Sequence, residues 1–90
     1  MPTISMFYGI VIRMFFYDTD QHHEPHIHAE YQDETAVYAI EDGRVLAGGL
    51  PNKKHKLVVA RLEIHQEDLM ADWKLAVNGQ KPLPIRGIDQ

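Results

Sequence analysis

The sequence contains no cysteine, which excludes disulfide bonds and thiolate zinc sites and fits a reducing compartment. Long apolar runs are also missing: the longest, Met6–Tyr17, is interrupted by Arg13 and is too short to span a bilayer. No basic residue precedes this run, as one would in a secretory signal. From these absences we expect a soluble, cytoplasmic protein with no membrane partner.

An excess of positive charge is missing as well. The 90 residues carry 9 basic and 13 acidic side chains, which gives a formal net charge of −4. Broad, charge-driven binding of nucleic acid needs many phosphate contacts and is therefore not expected. A local basic site stays open, because Lys53, Lys54, Lys56 and Arg61 lie close together in the chain.

Length and composition indicate one globular domain. The chain is 44% hydrophobic and 24% charged, values that are ordinary for a folded protein. We expect a single domain over residues 1–90, with a strand region at 7–48, a helical region at 52–78 and an extended tail at 79–90. A domain of this size has room for a surface groove or a shallow cleft as its site.

The first half of the chain has the composition of β-strands. Tyr8–Tyr17 is rich in β-branched and aromatic residues and predicts one strand. Polar and apolar residues alternate over His26–Tyr31, as in a half-buried strand, and Thr35–Ile40 predicts a third. Asp42-Gly43 predicts a type I′ hairpin turn leading into a fourth strand at Arg44–Ala47.

From residue 52 onward the hydrophobic period becomes helical. One apolar stripe is formed by Val58, Leu62, His65, Leu69, Trp73 and Ala76. We expect a break near His65, because Glu67 and Asp68 suit the first turn of a second helix, and Gly79 predicts its end. The predicted fold is α+β: an antiparallel meander of three or four strands, followed by a broken helix or two helices packed on one face.

Two histidines share one face of the alternating strand. Side chains alternate across a strand, so His26, His28 and Glu30 lie together, opposite the apolar residues of that strand. We expect the apolar residues to face the core and the polar residues to face solvent or a groove. Arg13, on a neighbouring strand, is expected on the same side.

This histidine face has three interpretations. In the first it binds a metal such as zinc, with His26, His28 and the loop residue His22 as ligands. In the second it is a metal-independent ribonuclease, with His26 and His28 as acid and base, Glu30 beside them and Arg13 stabilising negative charge. In the third it is a polar surface, solvated or bound to a partner, and its histidines do no chemistry. Beyond such a metal, no cofactor is expected.

Three lysines lie in the first turn of the predicted helix, against the helix dipole. Lys53, Lys54 and Lys56, with Arg61 further on, could hold a phosphate or an acidic partner at the helix N-terminus. Gly48 and Gly49 would let such a ligand approach the backbone. The alternative is that the lysines only solubilise an exposed helix end, since no phosphate-binding motif is present.

Several segments together resemble a family of short bacterial proteins catalogued as domain of unknown function, family 4160. They are MPTIS at residues 1–5, FYGI at 7–10, PHIHAEY at 25–31, the Asp42-Gly43 hairpin with Leu50-Pro51, and Trp73 with Asn78-Gly79. The loop before PHIHAEY is longer here, with the added His22-His23, and Ile27 stands where an aromatic residue is usual.

The resemblance implies a bacterial, cytoplasmic protein whose gene lies beside that of another small protein, as in toxin–antitoxin pairs. It brings no catalytic residue to this chain. We therefore expect a component of a toxin–antitoxin-like module that binds a partner, either the small protein encoded next to it or RNA, through the histidine face. The ribonuclease and metal-binding functions are the alternatives.

Overall fold

A five-stranded antiparallel sheet and two helices make up the fold. The computed structural model of this protein describes residues 3–14 and 24–79. The strands are β1 (Thr3–Phe7), β2 (Ile10–Arg13), β3 (His26–Tyr31), β4 (Glu34–Ala39) and β5 (Val45–Gly48), and the helices are α1 (Asn52–Ile64) and α2 (Gln66–Val77). The strands pair in chain order as a meander. The predicted α+β class and the two C-terminal helices are confirmed, with one strand more than expected.

The additional strand comes from a turn inside the first apolar segment. Tyr8 and Gly9 have φ values of 50° and 78°, which is the pattern of a type I′ turn, and Phe7 pairs with Ile10 across it. The expectation of one strand over Tyr8–Tyr17 is therefore wrong. Most of its second half, residues 15–17, lies outside the described residues.

The Asp42-Gly43 turn is real but wider than predicted. Only Gly43 has a positive φ, of 74°, so the turn is not type I′. The backbone N–H of Ala39 donates to the Arg44 carbonyl at 2.9 Å, which closes a four-residue loop. The Asp42 side chain accepts a 3.0 Å hydrogen bond from the Arg44 N–H, an Asx-turn that stabilises the loop.

His65 separates the two helices, as predicted. Its N–H donates to the Arg61 carbonyl at the end of α1, and its carbonyl accepts from Leu69 in α2. Glu67 and Asp68 lie in the first turn of α2, where the helix dipole favours acids. The apolar stripe is buried at Val58, Leu62, Leu69, Trp73 and Ala76, and α2 ends at Val77, two residues before Gly79.

One face of the sheet packs on this stripe. Ile12, Ala29 and Ala36 lie side by side on neighbouring strands, and they join the helix residues in one buried cluster. The burial of this apolar surface is the main stabilising contribution. Neither helix, in the part of the chain that the structure describes, has the length and apolarity needed to cross a membrane.

Tyr38 and His55 connect the sheet to α1 by a polar contact within this core. Tyr38 is fully buried, and its hydroxyl lies 2.9 Å from Nδ1 of His55. The two rings stack with centroids 5.6 Å apart. Burial raises the pKa of Tyr38 above its ordinary value of 10.0, because a phenolate is poorly solvated in the protein interior.

Tyr38→Phe is expected to lower the free energy of unfolding by about 1 kcal/mol at neutral pH, since one buried hydrogen bond is lost. It should also reduce the loss of stability in alkali. The unfolded phenol ionises near pH 10.0, so the stabilisation is present below that pH and is lost as the pH rises through the folded pKa. Urea unfolding at neutral pH and above pH 10.0 measures both effects.

Equal alkaline losses of stability in wild type and Tyr38→Phe would contradict the assignment.

Candidate functional site

Strand β3 brings the predicted site residues onto one face of the sheet. His28 lies directly opposite Arg13 of β2 and Val37 of β4. Glu30 lies two residue pairs further toward the β3–β4 turn, and His26 lies two pairs closer to the start of β3. The structure therefore confirms that His26, His28, Glu30 and Arg13 share a face, and we call these four residues the histidine face.

The histidines of this face are buried, not exposed. His26 is 0% exposed and His28 is 8% exposed, which corrects the expectation that they face solvent or a groove. The His26 ring lies 5.3 Å from the His28 ring and 5.0 Å from the Trp73 ring of α2, centroid to centroid. Alternation along β3 could not reveal this, because it assigns residues to a face without showing what covers that face.

A backbone hydrogen bond fixes the orientation and the tautomer of His26. Its Nδ1 lies 2.7 Å from the carbonyl oxygen of Glu24. A carbonyl oxygen can only accept, so Nδ1 carries the hydrogen, and in the neutral ring the lone pair is on Nε2. His26 is therefore a buried ring with one nitrogen bonded to the backbone and aromatic rings as neighbours.

Glu24 lies just before β3, and its side chain takes part in an ion-pair network. Its carboxylate pairs with Arg44, which also binds Asp42 with a 2.8 Å separation between nitrogen and oxygen. The backbone N–H of Arg44, followed by its guanidinium, lowers the pKa of the exposed Asp42 carboxyl. Through Glu24, the β4–β5 loop and the start of β3 are tied together next to His26. Arg44 and Glu24 are twenty residues apart in the chain, so no local pattern could have paired them.

Arg13 is paired with Glu30 on the partly exposed side of the histidine face. Nε of Arg13 lies 3.1 Å from Oε2 of Glu30, and the two side chains are 31% and 39% exposed. An ion pair this accessible is screened by water and contributes about 0–1 kcal/mol. Its main effect is on charge: the guanidinium that was expected to stabilise a phosphate is already balanced by a carboxylate.

On the sheet face that carries the histidines, side chains become more exposed toward the β1–β2 and β3–β4 turns. The row of side chains beyond His28 runs through Met6, Val11, Glu30 and Thr35 on four neighbouring strands. Each of these residues is half-buried or exposed, and Met6 is 54% exposed. We call this row, together with Arg13, the sheet platform. Met6, opposite Val11, was missed because β1 was not predicted; Gly9, as a turn signal, could have revealed the pairing.

The predicted anion site at Lys53, Lys54, Lys56 and Arg61 stays a prediction, but two of these residues already contact other parts of the fold. Nζ of Lys54 donates to the Tyr8 carbonyl at 3.1 Å and lies 4.8 Å from the centre of the Tyr31 ring. Arg61 lies over the Phe7 ring at 5.6 Å, nearly two helical turns further along α1. Lys53 and Lys56 are exposed at the helix surface. Two of the four cations therefore pack on aromatic rings of the fold.

Gly48 allows β5 to approach the β4 backbone closely. Its φ is +69°, and a Cβ atom there would overlap the carbonyl oxygen of Thr35 and lie 3.2 Å from its carbonyl carbon. The expectation that Gly48 opens the backbone to a ligand is therefore wrong: its own neighbouring strand occupies that space. Gly49 has no such neighbour.

The metal-binding interpretation stays a prediction. His22, the third expected ligand, lies outside the described residues. Across residues 3–14 and 24–79, no group of three or more histidine or acidic side chains is arranged to hold a metal ion.

The geometry thus defines a class of protein: a meander sheet packed on two successive helices, with a pair of buried histidines on the other face of the sheet. The family model described as a domain of unknown function (DUF4160) matches residues 9–74, and the chain belongs to this family. The match runs from the β1–β2 turn through most of α2. Comparison with curated proteins and with solved structures gives no match.

Proposed function

We propose that this protein is the binding component of a small toxin–antitoxin-like module, and that it holds the protein encoded next to it through the sheet platform. In this proposal the protein acts by association and not by turnover. Arg13 and Glu30 of the histidine face contribute to the contact, whereas the buried His26 and His28 lie beside the platform on the same face of the sheet and fix the position of β3.

The observation that carries the proposal is the exposure of the platform. Met6 and Val11 are apolar side chains directly opposite each other, on the side of the sheet away from α1. Methionine and arginine are enriched in protein–protein interfaces relative to the rest of the protein surface. The platform presents an exposed methionine, Met6, at 54%, and an arginine, Arg13, whose charge is balanced by Glu30.

RNA is the weaker choice of partner for this surface. Binding to RNA depends on cationic side chains that neutralise phosphates. On the platform the cation Arg13 is paired with Glu30, and the chain as a whole has a net charge of −4. A protein partner needs only shape and apolar contact, which the platform offers.

A ribonuclease is the second candidate function, and one arrangement favours it. Arg13 lies directly opposite His28, and the two histidine rings are 5.3 Å apart, so the residue types of an acid–base site are together. Accessibility opposes it. A general acid or base must come within hydrogen-bond reach of the substrate, whereas His26 is fully buried and donates to a carbonyl.

Met6→Lys is expected to weaken binding of the neighbouring gene's protein by roughly tenfold or more, because it places a charge in the apolar part of the contact. Co-expression of the two proteins followed by calorimetric titration measures the dissociation constant. Val77→Lys, at another partly exposed apolar position on α2, is the matched control and should bind as wild type does. Equal affinity for wild type and Met6→Lys would reject the platform.

The same preparation decides the second candidate. Wild type is expected to leave RNA intact with and without EDTA. RNA cleavage that survives EDTA and disappears in a folded His28→Gln variant would replace the binding proposal with the ribonuclease.

A further inference from the structure

The β1–β2 turn carries an aromatic residue in an unfavourable backbone conformation. Tyr8 has a φ of 50°, and its side chain is 61% exposed. Among the described residues, Gln32 is the other non-glycine residue with a positive φ. The first central position of a type I′ turn prefers asparagine, aspartate or glycine, and a bulky side chain there is disfavoured by contact with its own backbone.

The backbone of this turn is held in place while the ring is not covered. The Tyr8 carbonyl accepts a 3.1 Å hydrogen bond from Nζ of Lys54 in α1. Gly9 lies against the ring of Tyr31: a Cβ atom added at Gly9 would be only 3.4 Å from Cε1 of that ring. These two contacts orient the backbone that carries the exposed ring, and a backbone held in its bound conformation reduces the entropy lost when a partner buries the ring.

The surroundings of the turn indicate what covers the ring. Met6, two residues earlier, belongs to the sheet platform, so the turn continues the proposed interface. Ile10 pairs with Tyr31, so the β1–β2 and β3–β4 turns lie at the same end of the sheet. The β3–β4 turn exposes the side chains of Asp33 and Glu34 there. These carboxylates would repel a nucleic-acid backbone. Tyrosine is among the residues that most often supply the central binding energy of protein interfaces.

We propose that Tyr8 is the anchor by which this protein docks, its ring entering an apolar pocket on the platform's protein partner. The inference rests on the proposed function and adds the residue that dominates its affinity. An exposed aromatic side chain at a strained turn position weakens the isolated fold, and its gain comes only in the complex. This opposition between stability and affinity distinguishes an anchor from a residue with a structural role.

Tyr8→Asn tests whether Tyr8 lowers the stability of the free protein while raising its affinity for the partner. It creates an Asn-Gly turn, so the melting temperature should rise by about 3 °C, while the dissociation constant for the co-expressed neighbouring protein should increase by roughly a factor of ten or more. Ile64→Asn is the matched control, since Ile64 is 68% exposed on α1, and it should leave the dissociation constant unchanged. Tyr8→Phe keeps the ring and should keep most of the affinity.

The outcomes separate the two proposals. If Met6→Lys weakens the complex and Tyr8→Asn does not, the platform stands and the anchor is wrong. If no complex forms with wild type, both are wrong. A fall in both melting temperature and affinity in Tyr8→Asn makes Tyr8 a structural residue and overturns the anchor. A loss of single-stranded RNA binding in Tyr8→Asn, with protein binding intact, also overturns it.

Discussion

Gly48→Ala is expected to leave little folded protein, with a loss of roughly 3 kcal/mol or more in the free energy of unfolding. Two independent effects combine at this position. The added Cβ would overlap the Thr35 carbonyl oxygen, and the backbone φ of +69° is unfavourable for any residue with a side chain. The close approach cannot relax cheaply, because the obstructing atom is part of the β4 backbone, which is paired on both sides.

The next residue supplies the control for this prediction. A Cβ at Gly49 has no atom within 4 Å, so Gly49→Ala should change stability by less than about 1 kcal/mol. Urea unfolding of the two variants, followed by circular dichroism, gives the comparison. Similar stability for Gly48→Ala and Gly49→Ala would show that β5 does not approach β4 as described.

His26→Ala is expected to lower the free energy of unfolding by about 3 kcal/mol, the range found when large buried side chains are truncated. The variant removes a ring that is 0% exposed, its contacts with His28 and Trp73, and its 2.7 Å hydrogen bond to the Glu24 carbonyl. For a domain of this size that is a large part of the total stability, which is typically about 5–15 kcal/mol.

Glu30→Ala is the matched control on the same face of the same strand. It removes only a partly exposed ion pair, so the expected loss is about 0–1 kcal/mol. Thermal and urea unfolding measure both variants. If His26→Ala is as stable as wild type, the imidazole is not a packing residue, and an accessible, functional histidine becomes the better description.

The helical half of the fold could be predicted in detail because its signals are local. The stripe through Val58, Leu62 and Leu69 set the buried face, and the acids Glu67 and Asp68 after His65 marked the start of a second helix. Each of these features depends on residues three or four positions apart. The structure has the break at His65 and buries that stripe.

The strand half was harder, and the histidine face shows why. The turn at Tyr8-Gly9 lies inside an apolar segment, and tyrosine carries no signal for a positive φ, so β1 was missed. Alternation along β3 correctly grouped His26 with His28 and Glu30. It could not show that Trp73, 47 positions after His26, packs against that ring, because such a contact exists only after the chain has folded.

The basic cluster stays a prediction as an anion site, and the structure adds contacts that the sequence could not show. Neighbouring lysines in a sequence look like one patch, yet consecutive helical residues point in different directions. Lys54 turns toward Tyr31 and Arg61 toward Phe7, and both rings belong to strands far away in the chain. The amphipathic stems of such side chains add to packing as well as charge.

The order of the strands also bears on how the protein is made. Every neighbour pair in the sheet is also a neighbour pair in the chain, so each hairpin can close as soon as its second strand has left the ribosome. Short loop closures lower the entropic barrier to folding and shorten the time during which strand edges are open to aggregation. A newly synthesised chain can therefore complete most of its sheet before the helices that cover it have been translated.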